Sequence, residues 1–583
     1  MKSDSLPNLL FVTSRSQVSR LRTLHLANPG LGFVAGSKSL ERAISETGLK
    51  YISSDGGFPE SRQREALDSI TALIRTISTM LAEFGVRESW RHLVERELLQ
   101  QLSAHQRFVL VAMRENADGM RLINGELASL EAGFGRPGAS EPKVVSGSPT
   151  LSSPPFLPVL NPFSRPYVLD MRANNARTDP QPDWPRFLRM TLSARNRFHT
   201  VSQNTQQAVR SFYQRHKASR IKLLPLAPHV DERLATAIGN ISINCEHLSL
   251  SQSALRSFVL HLLAELTASK ATVDGFLNRF GQNLKLVVLD SPANPLEVAL
   301  AHACLERGIE TVEESHGCMV IHGGELRERA SAIMASSGNN WTTDVRTIVP
   351  RSPVQAIRAP ENCRIVPVNR VKPQSGPSDQ NKPFRILLAP NFFPWHMAIP
   401  ALTATCHETL DVAKFLAGIV ARRQDWQLDM RIKVTTADTP GAVSPQLDRG
   451  LLPYHVDPLA DMGSNIRNAS ADSYSRSLEE ADLVVSEGVT SVMIEALEYR
   501  TPVLLLNRSK ERIPSMPAAR LADMAGVERR FAVYASSTEE DCEAILQAIS
   551  RLHKGRPLRD DEIGEFCWLG ETALDGHYLQ YLL

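Results

Sequence analysis

Short apolar runs alternate with longer amphipathic stretches over much of the chain. In the last third, the runs at 384–389, 481–485 and 502–506 read FRILLA, ADLVV and PVLLL. Continuous apolar runs of this length are typical of strands buried on both faces, and amphipathic stretches are typical of helices. Further strands are expected at 9–13 and at 428–435, where apolar and polar residues alternate. The alternation predicts parallel sheets covered by helices, with ligands at the carboxyl ends of the strands.

The same order of elements occurs before residue 366. The run LKLVVL at 284–289 predicts a buried strand. A helix is expected from Pro295 to Arg307, because Pro favours the first helical turn and Gly308 lies just beyond the end. A second strand at 309–313 leads into a Ser-His-Gly sequence that contains His316. We therefore expect a second sheet of the same kind in this part of the chain.

Two proline-rich segments divide the sequence, and both are expected to be linkers because proline lacks a backbone donor and blocks helices. The predicted organisation is an α/β fold with two Rossmann-like domains that face a cleft. The boundaries are an N-terminal α/β part of the first domain (1–135), a Pro/Ser-rich loop or linker (136–166), the rest of that domain (167–366), an interdomain linker (367–383) and a C-terminal Rossmann-like domain (384–583).

The charge and cysteine content of the chain argue against some classes of function. The chain of 583 residues has a formal net charge of +2, whereas a dedicated nucleic-acid binder usually carries a strong basic excess, so no nucleic-acid partner is expected. The seven cysteines include no CxxC pair, which argues against a disulfide framework or a zinc ribbon. We find no secretory signal and no apolar run near the length of a membrane span. A cytoplasmic location is expected.

The most informative stretch is ADLVVSEGVTSVMIEALEYRTPVLLLN at 481–507. A buried strand runs into Ser486 and Gly488, and a helix is expected to open near Thr490 and Ser491. Free backbone N–H groups at a helix start, with hydroxyls beside them, can bind an anion such as a phosphate. Glu495 lies further along the helix, where a carboxylate can accept hydrogen bonds from the two hydroxyls of a ribose. This pattern predicts a nucleotide site.

This stretch resembles the donor-binding half of the GT-B glycosyltransferases, which use nucleotide sugars. Glu487 and Glu495 enclose seven residues, as in the E-x7-E spacing of many members, and Ala496-Leu497 and Pro502-Val503 follow as in that family. The resemblance implies that Glu495 holds the ribose and that Glu487 contacts the donor sugar. The chain departs from the family pattern at Gly488-Val489-Thr490, where a Pro and a Phe-Gly pair are usual.

A second resemblance lies in the first half of the chain. The segment VVLDSPANPLEVALAHACLERGIETVEESHG is similar to the strand–helix–strand unit before a His-Gly pair in bacterial capsule and surface-polysaccharide GT-B proteins. It implies that His316 faces the interdomain cleft, where its pKa range suits a general base. The final residues, 573–583, resemble the closing helix of the same group. His316 and Glu487 are thus the catalytic candidates.

A loop after the strand at 384–389 adds two donor-side candidates, Asn391 and His396, because such a loop can reach the cleft. No D-x-D triplet occurs, so no metal and no cofactor are expected. A helix dipole and side chains can hold a diphosphate without a metal.

Each candidate has an ordinary structural explanation as well. Glu495 could be a solvated helix glutamate, Thr490 and Ser491 could be helix caps, and His316 could be a hydrogen-bonded turn residue. The basic stretch 210–222 is typical of a solvated helix face, and the alternative is a site for an anionic lipid headgroup or an acceptor phosphate.

The sequence thus predicts a glycosyltransferase that moves a sugar from a nucleotide-sugar donor to a surface-glycan or lipid-linked saccharide acceptor. Peripheral contact with the inner membrane face is compatible with such an acceptor. Two alternatives stay open at this point: a nucleotide-sugar 2-epimerase of the same fold, which would need several carboxylates and convergent arginines around one sugar, and a non-catalytic scaffold or glycan-binding protein that has kept the fold.

Overall fold

The structure is a computed structural model. It describes residues 8–12, 15–35, 38–53, 60–115, 119–124, 126–129, 143–145, 166–171, 186–192, 219–223, 229–240, 252–289, 295–314, 344–356, 362–372, 382–389, 406–431, 459, 461–469, 472–486, 491–507, 527–532, 543, 545–550, 557–564, 566–570, 573–574 and 578–583.

The described strands, in chain order, are β1 Asn8–Val12, β2 Leu31–Ala35, β3 Ile52–Ser53, β4 Gly119–Asn124, β5 Glu126–Ser129, β6 Lys143–Val145, β7 Tyr167–Asp170, β8 Arg186–Leu192, β9 Ser219–Leu223, β10 His229–Asp231, β11 Leu284–Leu289, β12 Glu310–Glu314, β13 Thr347–Val349, β14 Arg364–Ile365, β15 Phe384–Leu388, β16 Trp426–Met430, β17 Ile466–Asn468, β18 Leu483–Ser486, β19 Val503–Asn507 and β20 Val527–Ala532.

The main described helices are α1 Arg15–Ala27, α2 Lys38–Glu46, α3 Glu60–Glu83, α4 Glu88–Arg114, α5 Glu232–Gly239, α6 Gln252–Phe280, α7 Pro295–Glu306, α8 Pro353–Ala356, α9 Cys406–Val420, α10 Tyr474–Glu479, α11 Ser491–Glu498 and α12 Asp560–Ile563. A 3-10 turn, Tyr578–Tyr581, lies at the C-terminal end.

The C-terminal part is built on a six-stranded sheet in the order β17-β16-β15-β18-β19-β20, and every described pairing in it is parallel. Alternate residues of β15 point to opposite faces: Ile386 and Leu388 pack with α9, and Leu387 packs with α11. A strand buried on both faces needs apolar residues at every position, which explains the run FRILL.

The middle part contains a seven-stranded sheet in the order β14-β13-β12-β11-β7-β8-β9, also parallel throughout its described pairings. One face of β11 packs against α6 and α7. Its other face packs against Val366, the linker residue Val368 and the C-terminal residues Tyr578 and Leu579. The end of the chain therefore closes over the sheet of the middle part.

Residues 8–129 form a five-stranded sheet of their own, in the order β3-β2-β1-β4-β5, with only β5 antiparallel. Helices α3 and α4, which lie between β3 and β4 in the chain, pack with α5 and α6 in one apolar cluster. A helical layer thus joins the N-terminal sheet to the seven-stranded sheet.

These sheets confirm the predicted α/β class with two Rossmann-like parallel sheets, here in the middle and C-terminal parts. The predicted strand at 428–435 is placed differently: β16 begins at Trp426, and its described residues are buried except for the half-buried Gln427, so they do not alternate. The domain boundaries stay predictions. In the part of the chain that the structure describes, no helix is both long enough and apolar enough to cross a membrane.

Candidate functional site

The candidate site begins where β18 ends, at the carboxyl edge of the six-stranded sheet. Ser486 is the last residue of β18 and is buried. Helix α11 starts at Ser491, and Glu495 lies four residues later, about 6 Å along the helix axis. The predicted strand and helix are therefore both present, at the edge of the sheet where ligands of parallel α/β folds bind, and residues 487–490 between them lie outside the described ranges.

Only part of the predicted site falls within the described residues. Those that do are Ser486, Ser491 as a backbone position, and Glu495. The remaining predicted site residues lie outside the described ranges: His316, Asn391, His396, Glu487, Gly488 and Thr490. Their roles stay predictions.

Glu495 is held among charged and polar groups and does not point into bulk solvent. Its side chain is 16% exposed, and its Oε1 lies 2.8 Å from Nη1 of Arg351, which belongs to the middle part of the chain. The hydroxyl of Tyr474 is also close: burial, followed by the charge of Glu495, raises the pKa of Tyr474 well above its ordinary value. A carboxylate fixed in this way is preoriented for further hydrogen bonds.

Arg351 follows the carboxyl end of β13 and is 3% exposed. Its Nε and Nη2 donate to the two carboxylate oxygens of Glu498, at 3.0 and 2.7 Å. Burial raises the pKa of the Glu498 carboxyl, and the charges of Arg351 and Arg370 oppose this shift. Arg351 therefore connects the domain of the seven-stranded sheet to the domain of the six-stranded sheet. It does so through the bidentate contact with Glu498 and the additional contact with Glu495.

A second buried ion pair lies beside this bridge. Nη2 of Arg370, in the linker, is 3.3 Å from Oε1 of Glu314, the last residue of β12. The Tyr578 hydroxyl donates to Oε2 of the same carboxylate at 3.0 Å. Burial lowers the pKa of Arg370, while the charges of Glu498, Tyr578 and Glu495 act in the opposite direction. The linker and the C-terminal turn therefore meet at the end of β12.

The geometry brings together the carboxyl ends of β12 and β13 and the helix after β18. Three carboxylates and two guanidinium groups converge there, on Glu314, Glu495, Glu498, Arg351 and Arg370. A carboxylate oxygen accepts more than one hydrogen bond, so these groups can bind the hydroxyls of a sugar or a ribose while they keep their ion pairs.

Arg431 extends this polar region along the carboxyl edge of the sheet. It follows β16, and its Nη1 donates to the carbonyl oxygens of Ala469 and Asp472, at 3.0 and 2.5 Å. Its guanidinium carbon is 5.2 Å from the centre of the Tyr474 ring. Burial lowers the pKa of Arg431. Arg431 therefore helps to fix Tyr474, which in turn lies against Glu495.

Within the described ranges, no group of three or more His, Cys, Asp or Glu side chains is arranged to hold a metal ion. The expectation that the chain works without a metal or cofactor stays a prediction.

Sequence reasoning did not find Arg351, Arg370, Tyr474 or Tyr578. One signal in the sequence could have indicated Arg351. It follows the β-branched run TIV and a proline, so it lies just beyond a strand, as the predicted site residues do. Its partner Glu498 is 147 positions away in the sequence, so the pair can be identified only from the contact between the domains in the structure.

The sequence matches no protein-family model and no curated protein. Among solved structures, it is similar to a UDP-GlcNAc 2-epimerase from Neisseria meningitidis bound to UDP-GlcNAc, with 11% identity and a TM-score of 0.34 over 67% of this chain and 93% of that one. It is also similar to a spinosyn rhamnosyltransferase, with 12% identity and a TM-score of 0.38 over 72% of this chain and 99% of the other.

A third similar structure is a calicheamicin glycosyltransferase, with 14% identity and a TM-score of 0.33 over 67% of this chain and 94% of that one. At these values the likeness is distant.

Proposed function

We propose that the chain is a glycosyltransferase that moves a sugar from a nucleotide-sugar donor to a surface-glycan acceptor (capsule, O-antigen or similar) or a lipid-linked saccharide. The observation that carries the proposal is the position of Glu495. It lies one turn into the helix that follows a buried parallel strand. Its carboxylate forms an ion pair with Arg351 and is largely shielded from solvent. A carboxylate at this edge of a parallel sheet can accept hydrogen bonds from the two hydroxyls of a ribose.

In this proposal the donor lies across the start of α11. Ser486, Gly488, Thr490 and Ser491 bind the diphosphate through backbone amides and hydroxyls, aided by the positive end of the helix dipole. Glu495 binds the ribose. Glu487, the residue that follows Ser486 in the sequence, contacts the donor sugar.

The remaining predicted residues complete the site. Asn391 and His396 follow β15, the neighbour of β18 in the sheet, and assist in donor binding. His316 is the general base or orients the acceptor. It is two residues beyond Glu314, whose carboxylate is already part of the contact between the domains. The acceptor is reached at the cytoplasmic face of the inner membrane, and no metal takes part.

One observation favours a second function, a nucleotide-sugar 2-epimerase. Such an enzyme needs several carboxylates and arginines around one sugar, and the structure brings together three carboxylates and two arginines next to Glu495. Inversion at C2 of the sugar breaks the C2–H bond: one group takes up the proton while the electron pair of that bond expels the nucleotide diphosphate from C1. The C1–O bond then forms again as a second group returns a proton to C2. Glu314 and Glu495 are the nearest candidates to these roles.

A thermal-shift screen with UDP, GDP, CDP and CMP sugars tests nucleotide binding. At one hundred times the Kd, a ligand stabilises the folded chain by about 2.7 kcal/mol. We expect one nucleotide class to raise the Tm of the wild type and to have a much smaller effect on Glu495→Ala. The control is Glu479→Ala, an exposed glutamate of the neighbouring helix α10. If no nucleotide sugar raises the Tm of the wild type, the scaffold alternative is favoured.

Mass spectrometry in D₂O then separates the two enzymes. A transferase releases the nucleotide and adds the mass of one sugar to an acceptor saccharide. An epimerase leaves the donor intact and introduces one solvent deuterium at C2, which raises the donor mass by about 1 Da because the C2 proton is exchanged. Deuterium in the donor without sugar transfer would overturn the transferase proposal.

A further inference from the structure

Arg351 belongs to the middle part of the chain, yet all its charged contacts described above are with helix α11 of the C-terminal part. Nε and Nη2 form a fork on Glu498, and Nη1 is 2.8 Å from Oε1 of Glu495. A surface ion pair would be free to rearrange, but this guanidinium is 3% exposed. One residue of one domain therefore holds two carboxylates of the other.

The planar guanidinium makes this contact directional. Once Nε and Nη2 are fixed by the two oxygens of Glu498, the position of Nη1 is also fixed, because the three nitrogens lie in one rigid plane. Nη1 then lies within ion-pair distance of Oε1 of Glu495, at 2.8 Å. A carboxylate offers about four lone-pair sites, so Glu495 keeps acceptor capacity for hydroxyl donors beyond its contacts with Arg351 and Tyr474. A lysine could supply the charge but not the fork.

We propose that Arg351 is a positioning residue for nucleotide binding, which sets the orientation of Glu495 towards the ribose hydroxyls from the opposite domain. The inference rests on the proposed function, in which Glu495 binds the ribose. It adds that the affinity for the ribose depends on the contact between the two domains. A rearrangement that separates Arg351 from α11 would release Glu495 and weaken the hold on the nucleotide.

The test compares each ribonucleoside diphosphate with its 2′,3′-dideoxy analogue, using UDP, GDP and CDP as probes in isothermal titration calorimetry. The ratio of the two Kd values isolates the ribose hydroxyls, and a general loss of stability or of diphosphate binding affects both ligands alike. A hydrogen bond to a charged group corresponds to roughly a tenfold to a hundredfold difference in Kd. We expect the wild type to show a preference of that order and Glu495→Gln to lose it.

Arg351→Lys keeps the charge and removes the fork, so we expect the preference for the ribonucleotide to fall by about tenfold. The matched control is Arg423→Lys, because Arg423 forms a similar fork on Asp425, at 3.1 and 3.0 Å, before the amino end of β16. We expect the control to keep the wild-type preference. If Arg351→Lys is poorly folded, Glu498→Gln opens the same fork by replacing one acceptor oxygen with a donor, and the preference should again fall.

The outcomes separate the two proposals. If Glu495→Gln loses the preference while the folded variant of Arg351 or Glu498 keeps it, the positioning role is overturned and the ribose contact stands. If the wild type itself binds each ribonucleotide and its dideoxy analogue equally, or binds none of the probes, the ribose contact of the proposed function is overturned.

Discussion

Removing the hydroxyl of Tyr578 tests how much the contact between the C-terminal residues and the middle part contributes to the free energy of unfolding. It donates to Oε2 of Glu314 at 3.0 Å, and Tyr578 is 1% exposed. Tyr578→Phe removes the hydroxyl and keeps the ring in its apolar cluster. Glu314 then retains Arg370 at 3.3 Å but loses the hydrogen bond from Tyr578. A hydrogen bond to a charged group contributes about 1.5–3 kcal/mol, so we expect a loss of that size in the free energy of unfolding.

The assay is urea-induced unfolding of the intact chain, followed by far-ultraviolet circular dichroism. Tyr581→Phe is the matched control, because it makes the same chemical change in the same segment at a residue that is 56% exposed, and we expect it to stay within about 0.5 kcal/mol of the wild type. Leu579→Ala tests the apolar part of the attachment and should cost about 2–5 kcal/mol, since Leu579 is fully buried. If the two tyrosine variants unfold at the same urea concentration with the same slope, the described contact with Glu314 provides no net stabilisation and the reasoning fails.

Three further predictions concern other parts of the molecule. Asp344 is buried and accepts hydrogen bonds from the N-terminal part, including one from Nε of Arg87 at 2.8 Å, so Asp344→Asn should cost about 1–3 kcal/mol in urea unfolding; an unchanged midpoint would contradict this. Leu263 is fully buried where α6 packs with α3 and α4, so Leu263→Ala should cost about 2–5 kcal/mol in the same assay, and a neutral result would place α6 elsewhere. Burial raises the pKa of Cys304 and of Cys567 to about 12, so roughly one thiol in ten thousand is ionised at pH 8; peptide mapping after iodoacetamide treatment should find both unlabelled until urea is added.

Several elements of the fold could be predicted because local residues determine them. Helix α7 begins at Pro295, as expected, and Gly308 follows it with φ of +67°, a conformation that glycine adopts without strain. The runs that form β11, β15 and β18 are apolar at nearly every position because both faces of each strand are covered. The start and end of a helix and the apolar character of a buried strand therefore depend on short stretches of sequence.

Other elements were longer than expected or were missed, because packing decides them. The amphipathic stretch 253–268 predicts a helix, but α6 continues to Phe280, and its last turns pack on the seven-stranded sheet. Arg500 follows α11 with φ of 62°, where glycine would be usual. Its guanidinium donates to the carbonyl oxygens of Lys372 and Leu558, at 3.2 and 2.9 Å, and these contacts with distant segments stabilise the turn.

Part of the candidate site could likewise be predicted from local sequence, and part of it depends on tertiary contacts. The sequence alone was enough to place Ser486 at the end of a buried strand and Glu495 within the following helix, since a strand–turn–helix unit depends on neighbours in the chain. It could not reveal that Arg351 holds Glu495 and Glu498, because a pair of residues nearly 150 positions apart meets only after two separate sheets have formed and packed against each other. Local patterns therefore determined the elements and their order, while the contact between domains decided which charges surround the predicted ribose site.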